Sequence, residues 1–302
     1  MKKEKILPII KSCNSVTLGS SVELYGSPSP GLPLLIVDSA VCYAVISLQG
    51  AQLLEFKTAD GHELLWLSSR AEFEKGKPIR GGIPICAPWF GNHATDEKKP
   101  KHGFVRCNDW ELKSAQVLSN GDNQIEFLYR TNKAITDLYG YVFQISLTMT
   151  LGSRIRLRFQ VENLDAGKLS FNWALHSYFS VSDLNAVQVT GLTGVDYLDK
   201  TNNCVVITQE NTVSFDGEVD RVYQKVGEEQ NILGSGINIR GLNCPTAIIW
   251  NPGVILASKI NDIGADGYLH FICVERGAAF DDAWQIDAGC SQVAELEIYR
   301  CF

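Results

Sequence analysis

No apolar run in these 302 residues reaches the ~18 that a membrane-spanning helix needs, and Asp38 breaks the best candidate. The N-terminus, Met-Lys-Lys-Glu-Lys-Ile-Leu-Pro-Ile-Ile-Lys, begins with positive charge as a secretory leader does, but its apolar stretch contains Pro8 and stops at Lys11. The apolar core of a leader is roughly 7–15 residues long. A cytoplasmic protein without a membrane partner is the expectation. Basic excess is missing too: 27 Lys+Arg against 34 Asp+Glu leave a net charge of −7. Such a field repels phosphate backbones and argues against nucleic acid, yet it permits a small anion held by a few local arginines. The nine cysteines contain no C-x-x-C pair and are odd in number, so neither a zinc site nor a disulfide framework is expected. G-x-S-x-G, H-E-x-x-H, an EF-hand loop, a Walker loop and a G-x-G-x-x-G opening a helix are all absent.

What the chain does have is a period of two. Phe143, Ile145, Leu147 and Met149 alternate with polar residues, and after the turn Leu151-Gly152-Ser153 the run Ile155, Leu157, Phe159, Val161 does the same. That pattern is a hairpin with one face in a core and one in water. Ile125, Phe127 and Tyr129 mark another strand, as do Ala294, Leu296 and Ile298; further strands are expected over 41–48, 52–57, 63–67, 169–175, 186–190, 246–250 and 268–275. Helical periodicity is scarce, with short candidates at 69–74 and 255–262. Many strands punctuated by Gly, Asn and Asp predict an all-β fold, a large antiparallel β-sandwich with few short helices. No linker-like break appears, and sandwiches often exceed 200 residues as one unit, so 1–302 reads as a single domain with an N-terminal arm over 1–20. A monomer is the default.

Only five histidines are present to move protons near neutrality. His176 stands among bulky apolar neighbours in Phe171-Asn172-Trp173-Ala174-Leu175-His176-Ser177-Tyr178-Phe179, where desolvation keeps an imidazole neutral; a hydrogen-bonded core histidine is the plainer alternative. Glu275 follows Phe271 and Cys273 on one apolar face, a costly place for a carboxylate that is neither paired nor functional. The alternative there is a strand that has already ended, leaving Glu275 to pair with Arg276 or solvent. Arg80 opens the stiff segment Ile79–Gly91, and His102-Gly103-Phe104-Val105-Arg106 follows; arginines beside glycine-rich backbone can grip a phosphate or carboxylate through paired hydrogen bonds. Asp220-Arg221-Val222-Tyr223 and Trp250-Asn251-Pro252-Gly253 mix aromatic and polar groups as sugar sites do. A cysteine nucleophile at Cys86, Cys107 or Cys273 stays open beside the commoner reading of buried structural thiols.

Six segments in one order, IRGGIPICAPWFG (79–91), HGFVR with WEL (102–112), ALHSYF (174–179), EVDRVY (218–223), WNPG (250–253) and FICVE (271–275), resemble the glucose-6-phosphate 1-epimerases, or hexose-6-phosphate mutarotases, of the galactose mutarotase-like superfamily. The likeness spans roughly 32–300. It implies a large antiparallel β-sandwich, a sugar-phosphate substrate, no cofactor and no metal. It also implies His176 as general acid and Glu275 as general base, with His102 and Asp220 holding the sugar and Arg80 and Arg106 binding the phosphate. Ala87 stands where family members often carry an aromatic residue, which implies a more open pocket wall. Three other readings compete: an aldose 1-epimerase acting on unphosphorylated sugars, a glycosidase using Asp220 and Glu275 as its carboxylate pair, and a non-catalytic carbohydrate-binding protein that keeps the cleft.

Overall fold

The computed structural model describes residues 3–301, and antiparallel sheets dominate it. Two sheets of eight strands form the body, joined by a four-stranded and a two-stranded sheet. One large sheet, here called the outer sheet, runs in the spatial order 188–190, 229–233, 237–242, 291–300, 155–163, 143–151, 123–130 and 111–117. It contains the predicted hairpin, now Phe143–Leu151 paired with Ile155–Asn163 in unbroken register. Burial alternates residue by residue along both strands, as the apolar-polar pattern requires.

The other large sheet, the cleft sheet, runs in the order 205–208, 196–199, 219–223, 246–251, 271–278, 173–175 and 85–86, with Tyr178–Ser180 also paired to 271–278. Its central strand Phe271–Ala278 is buried at every position. A strand covered on both faces reads as a continuous apolar run rather than an alternating one. One large apolar cluster extends from Ile6 and Ile10 through the outer sheet to Trp173, Ile249 and Val274.

Several expected elements are adjusted. The run 169–175 is two strands, Leu169–Phe171 and Trp173–Leu175, which belong to different sheets. The strand at 268–275 begins three residues later, because 267–270 forms a 3-10 turn, and it continues to Ala278. Residues 63–67 make only isolated bridges, at Glu63, Leu65 and Leu67. No helix forms over 69–74; Ser68 holds that turn instead, donating its hydroxyl to the Asp262 carbonyl and accepting from the Arg70 amide. The helix expected at 255–262 is Gly253–Ala257. Three unpredicted helices appear, Lys3–Ile10, Ser21–Tyr25 and Lys133–Tyr139. Residues 3–20 pack into the body: Ile6 and Ile10 are buried, and Val16–Ser20 pairs with Pro33–Asp38. Among the described residues no helix is long and apolar enough to cross a membrane.

Candidate active site

The register of the central strand builds the site. Leu175 lies opposite Arg276 and Tyr178 opposite Cys273, so the two residues between them, His176 and Ser177, come level with Glu275 and Val274. The His176 amide donates to the Pro84 carbonyl at 2.9 Å, tying this interruption to the segment that carries Arg80. On the far side Ile248 pairs with Glu275, and Asp220 pairs with Trp250 one strand further out. One cleft is thereby lined by all six residues singled out in the sequence: Arg80, His102, Arg106, His176, Asp220 and Glu275.

Two glycines make the supporting loops possible. Gly82 has φ +61°, and a Cβ there would meet the Leu53 carbonyl oxygen at 2.1 Å; Gly103, at φ +72°, would place one 1.8 Å from the Ala87 oxygen. Only a residue without a side chain permits such approaches. His102 itself sits at φ +67°, an uncommon conformation for a residue with a side chain, of the kind that clusters at functional sites. Its ring is fixed, with Nδ1 accepting from the Gly91 amide at 3.2 Å. Its proton therefore sits on Nε2. Burial, helped by Arg106, holds the His102 pKa well below the ordinary value, so the ring is neutral. Ala87 does not shape the cleft wall as expected: it belongs to the core beneath, and its carbonyl accepts from the Phe104 amide.

His176 Nε2 lies 3.3 Å from Glu275 Oε1, and both side chains are buried, at 8% and 1% exposure. The carboxylate is not at a strand end and does not pair with Arg276, whose guanidinium points away to Gln230 and to the Glu228 and Cys244 carbonyls. Burial drives the two pKa values in opposite directions. Glu275 is pushed well above the ordinary carboxyl value, with Asp220 adding to the push. His176 is pushed well below the ordinary imidazole value by burial first and then by Arg106 and Arg80. Both shifts favour a neutral imidazole beside a protonated carboxyl, with one proton shared in the contact between Nε2 and Oε1. Neither His176 Nδ1 nor Glu275 Oε2 has a hydrogen-bond partner. Buried polar atoms are rarely left so, and functional sites are where such exceptions gather. The imidazole is also stacked on Tyr178, at a centroid distance of 4.8 Å and 10° between planes.

Arg80 is already engaged: Nε contacts Asp262 Oδ2 at 3.1 Å, and Nη1 donates to the Tyr178 hydroxyl at 2.9 Å. Arg106 donates from Nη2 to the Lys101 carbonyl at 2.8 Å, while its buried Nε has no partner. Asp220 is pushed above the ordinary carboxyl value by burial, an effect that Lys200 and Lys101 oppose.

Two cations that sequence reasoning missed, Lys101 and Lys200, line the same cleft, as do Asp262, Phe90 and Trp250. Lys101 could have been noticed as the residue before His102. Lys200 has no local signal; it arrives because its amide donates to the Asp220 carbonyl across paired strands. The loop lysine Lys99 turns elsewhere, to His93 and over Trp89. The candidate nucleophiles are poor ones. Burial pushes the Cys86 thiol up to about 12, raises Cys107 and raises Cys273 well above its usual value, so none is a ready thiolate.

A buried imidazole and carboxyl in contact, beside a neutral histidine and several cations, suit proton transfer on a polar anionic substrate. A family model described as aldose 1-epimerase matches residues 34–290. A Salmonella typhimurium protein provisionally named glucose-6-phosphate 1-epimerase is 33% identical over 249 residues, covering 81% of this chain and 82% of its own. A protein of Escherichia coli K12 with the same provisional name is 31% identical over 284 residues, 92% of each chain. The crystal structure of a Salmonella typhimurium protein provisionally described as a mutarotase superposes with a TM-score of 0.82 at 29% identity, covering 92% of this chain and 97% of that one. A galactose mutarotase related enzyme from Lactobacillus acidophilus, at 14% identity, shares the fold with a TM-score of 0.67, covering 89% and 97% of the two chains. The chain belongs to the aldose 1-epimerase family.

Proposed function

We propose that this protein interconverts the α and β anomers of a hexose 6-phosphate, with glucose 6-phosphate the favoured substrate, by opening and reclosing the sugar ring. The observation that carries this reading is the 3.3 Å contact between His176 Nε2 and Glu275 Oε1 inside a cleft with cationic walls. The ring oxygen and the anomeric hydroxyl are bonded to the same carbon. An acid and a base that act on them must therefore be neighbours, as these two are.

In the forward step Glu275 takes the proton of the anomeric hydroxyl and His176 gives one to the ring oxygen. The bond between the anomeric carbon and the ring oxygen breaks, and the aldehyde forms. Rotation about the adjacent carbon–carbon bond presents the other face, and the same two groups return the protons in reverse. The active arrangement, imidazolium beside carboxylate, differs from the neutral pair only in where a single proton sits. One protonation level thus serves both directions, and each transfer contributes about 10²–10⁴-fold. His102, neutral and with its proton on Nε2, donates to a sugar hydroxyl, and Asp220 accepts from another.

Phosphate recognition rests on charge. Arg80, Lys101, Arg106 and Lys200 line the cleft against Asp220, Asp262 and Glu275. With Glu275 carrying its proton, the cations outnumber the anions in a protein of net charge −7. Since Asp262 offsets Arg80 and Asp220 faces Lys101 and Lys200, the positive excess is shared by Arg106 and the two lysines, and Arg106 Nε is an unused donor. Fixed cations that touch the phosphate and not the reacting carbon position the sugar and add binding.

Magnetisation-transfer NMR of anomer exchange, run on glucose 6-phosphate and on glucose, tests this reading. Faster exchange of the phosphorylated sugar is expected, and Arg106→Ala should raise its KM about tenfold or more, the worth of a charge-assisted hydrogen bond, while leaving glucose unchanged. Equal effects on both sugars would replace this reading with an epimerase for unphosphorylated aldoses. Release of nitrophenol from a nitrophenyl glycoside would replace it with hydrolysis.

A further inference from the structure

We propose that His176, Cys273 and Glu275 form a binding site for a thiophilic divalent cation of the zinc and cadmium class, and that such a cation switches the cleft off. One ligand atom from each of the three residues falls within 4.8 Å of the other two, and all three residues are buried. Among the described residues no other group of three His, Cys, Asp or Glu side chains comes together in this way. Cys273 and Glu275 are two apart on one strand and so share a face, while His176 reaches them from the neighbouring interruption.

The spacing approaches that of a tetrahedral ion, and the sulfur, within 4.8 Å of the other two ligand atoms, closes in on binding. Zinc bonds of about 2.0–2.2 Å to nitrogen and oxygen set those two ligands about 3.3 Å apart, and a zinc–sulfur bond of about 2.3 Å sets the edges to sulfur slightly longer. The His176–Glu275 separation is 3.3 Å before any ion arrives. A second feature points to a ligand independently: Glu275 Oε2 is buried without a hydrogen-bond partner. One nitrogen, one sulfur and one oxygen donor favour zinc or cadmium over magnesium or calcium, which select oxygen alone. His176 and Glu275 line the cleft, so an ion reaches them and the buried Cys273 behind them from that side.

Binding balances as an exchange. The Cys273 thiol proton and the Glu275 carboxyl proton leave to solvent, and the dication takes their place on thiolate, carboxylate and neutral imidazole. The charge of the pocket is unchanged, so Arg80, Lys101, Arg106 and Lys200 meet no added repulsion. With its nitrogen and oxygen lone pairs committed to the ion, the pair can neither give nor take a proton. Only this effect on activity rests on the acid–base reading above; the binding itself does not.

The test titrates cadmium chloride into the reduced full-length protein while recording the ultraviolet thiolate-to-cadmium charge-transfer band. The exposed Cys204, Cys290 and Cys301 supply a background common to every variant. Wild type should show a tight component of one cadmium per chain that saturating glucose 6-phosphate suppresses and that both Cys273→Ala and Glu275→Gln lose. In parallel, zinc chloride should stop anomer exchange and EDTA restore it, with Cys273→Ala needing at least about tenfold more zinc. A wild-type protein without the tight component, or a Cys273→Ala variant with the same component and the same zinc sensitivity, overturns the proposal. Should Cys273→Ala fail to fold, an unchanged tight component in Glu275→Gln overturns it equally. Tight cadmium binding in a protein that exchanges no sugar anomers would leave the metal site standing and remove the epimerase.

Discussion

Glu275 and Arg276 are neighbours on one strand, each 1% exposed, and the fold treats them in opposite ways. Arg276 faces away from the cleft and is bonded by three acceptors, the Glu228 and Cys244 carbonyls and the Gln230 side chain. Glu275 faces the cleft, contacts the imidazole of His176 and keeps one oxygen without a hydrogen-bond partner. Burying a charge is costly unless it is paired and hydrogen-bonded. Arg276 meets most of that demand through its three acceptors, with only its Nε left without a partner, whereas Glu275 lacks a comparable set and has its pKa pushed upward. The outer sheet offers a third case. Its charges, among them Arg154 and Arg156 on Glu297, lie on the watery side of alternating strands, where they cost and contribute little.

The largest effects should separate those two neighbours. Glu275→Gln is expected to slow anomer exchange about 10²–10⁴-fold while melting above wild type at neutral pH. The sign follows from the raised pKa of Glu275. A carboxyl whose folded pKa exceeds its unfolded value stabilises fully below about pH 4.3 and loses that contribution as pH rises towards the folded pKa. Glutamine has no such loss, so its advantage should shrink towards acid. Thermal melts across pH check this, and a lower melting point for the variant at neutral pH would count Glu275 as structural. Arg276→Met should do the reverse, costing on the order of 3 kcal/mol because two buried acceptors and one part-buried one lose their donor, measured by denaturant unfolding, with exchange per folded molecule nearly intact. A more moderate effect is expected in the pH profile. Since burial lowers His176 and raises Glu275, the one-proton state should be active over a broad bell, with its acid limb below the ordinary imidazole value and both limbs belonging to the coupled pair. The smallest effect falls on the outer sheet, where Arg156→Ala should cost less than about 1 kcal/mol in unfolding and leave exchange unchanged.

The same contrast governs how far the sequence could be read. Strands 143–151 and 155–163 were legible because water covers one face and forces a polar residue at alternate positions. The cleft sheet was blurred because Phe271–Ala278 is covered on both sides, so alternation vanishes and Glu275 resembles a strand end. The break at Asn172 was hidden for a related reason, since apolar residues feed two sheets in succession. The helix Lys3–Ile10 escaped because it is short and contains Pro8; Ile6 and Ile10, one turn apart, are its buried face. All six site residues named from the sequence line one cleft, as the order of their motifs implied. Lys101, Lys200 and Asp262 were not foreseen, because a charge becomes part of a site through tertiary pairing and leaves no periodic trace. Asp262 changes the expectation for Arg80 most: two of its nitrogens are committed inside the protein, so in the proposed function a phosphate is assigned to Arg106 and the lysines instead.

The central claim is that His176 and Glu275 move protons as one unit. Anomer exchange of glucose 6-phosphate should therefore be measured by magnetisation transfer in His176→Asn, Glu275→Gln and the double variant, each shown to be folded. Each single change should abolish most of the acceleration, and the double variant should be about as slow as the slower single, because removing either partner disables both. A single variant that exchanges at the wild-type rate, or a double variant whose loss is the full product of the two single losses, would contradict the account.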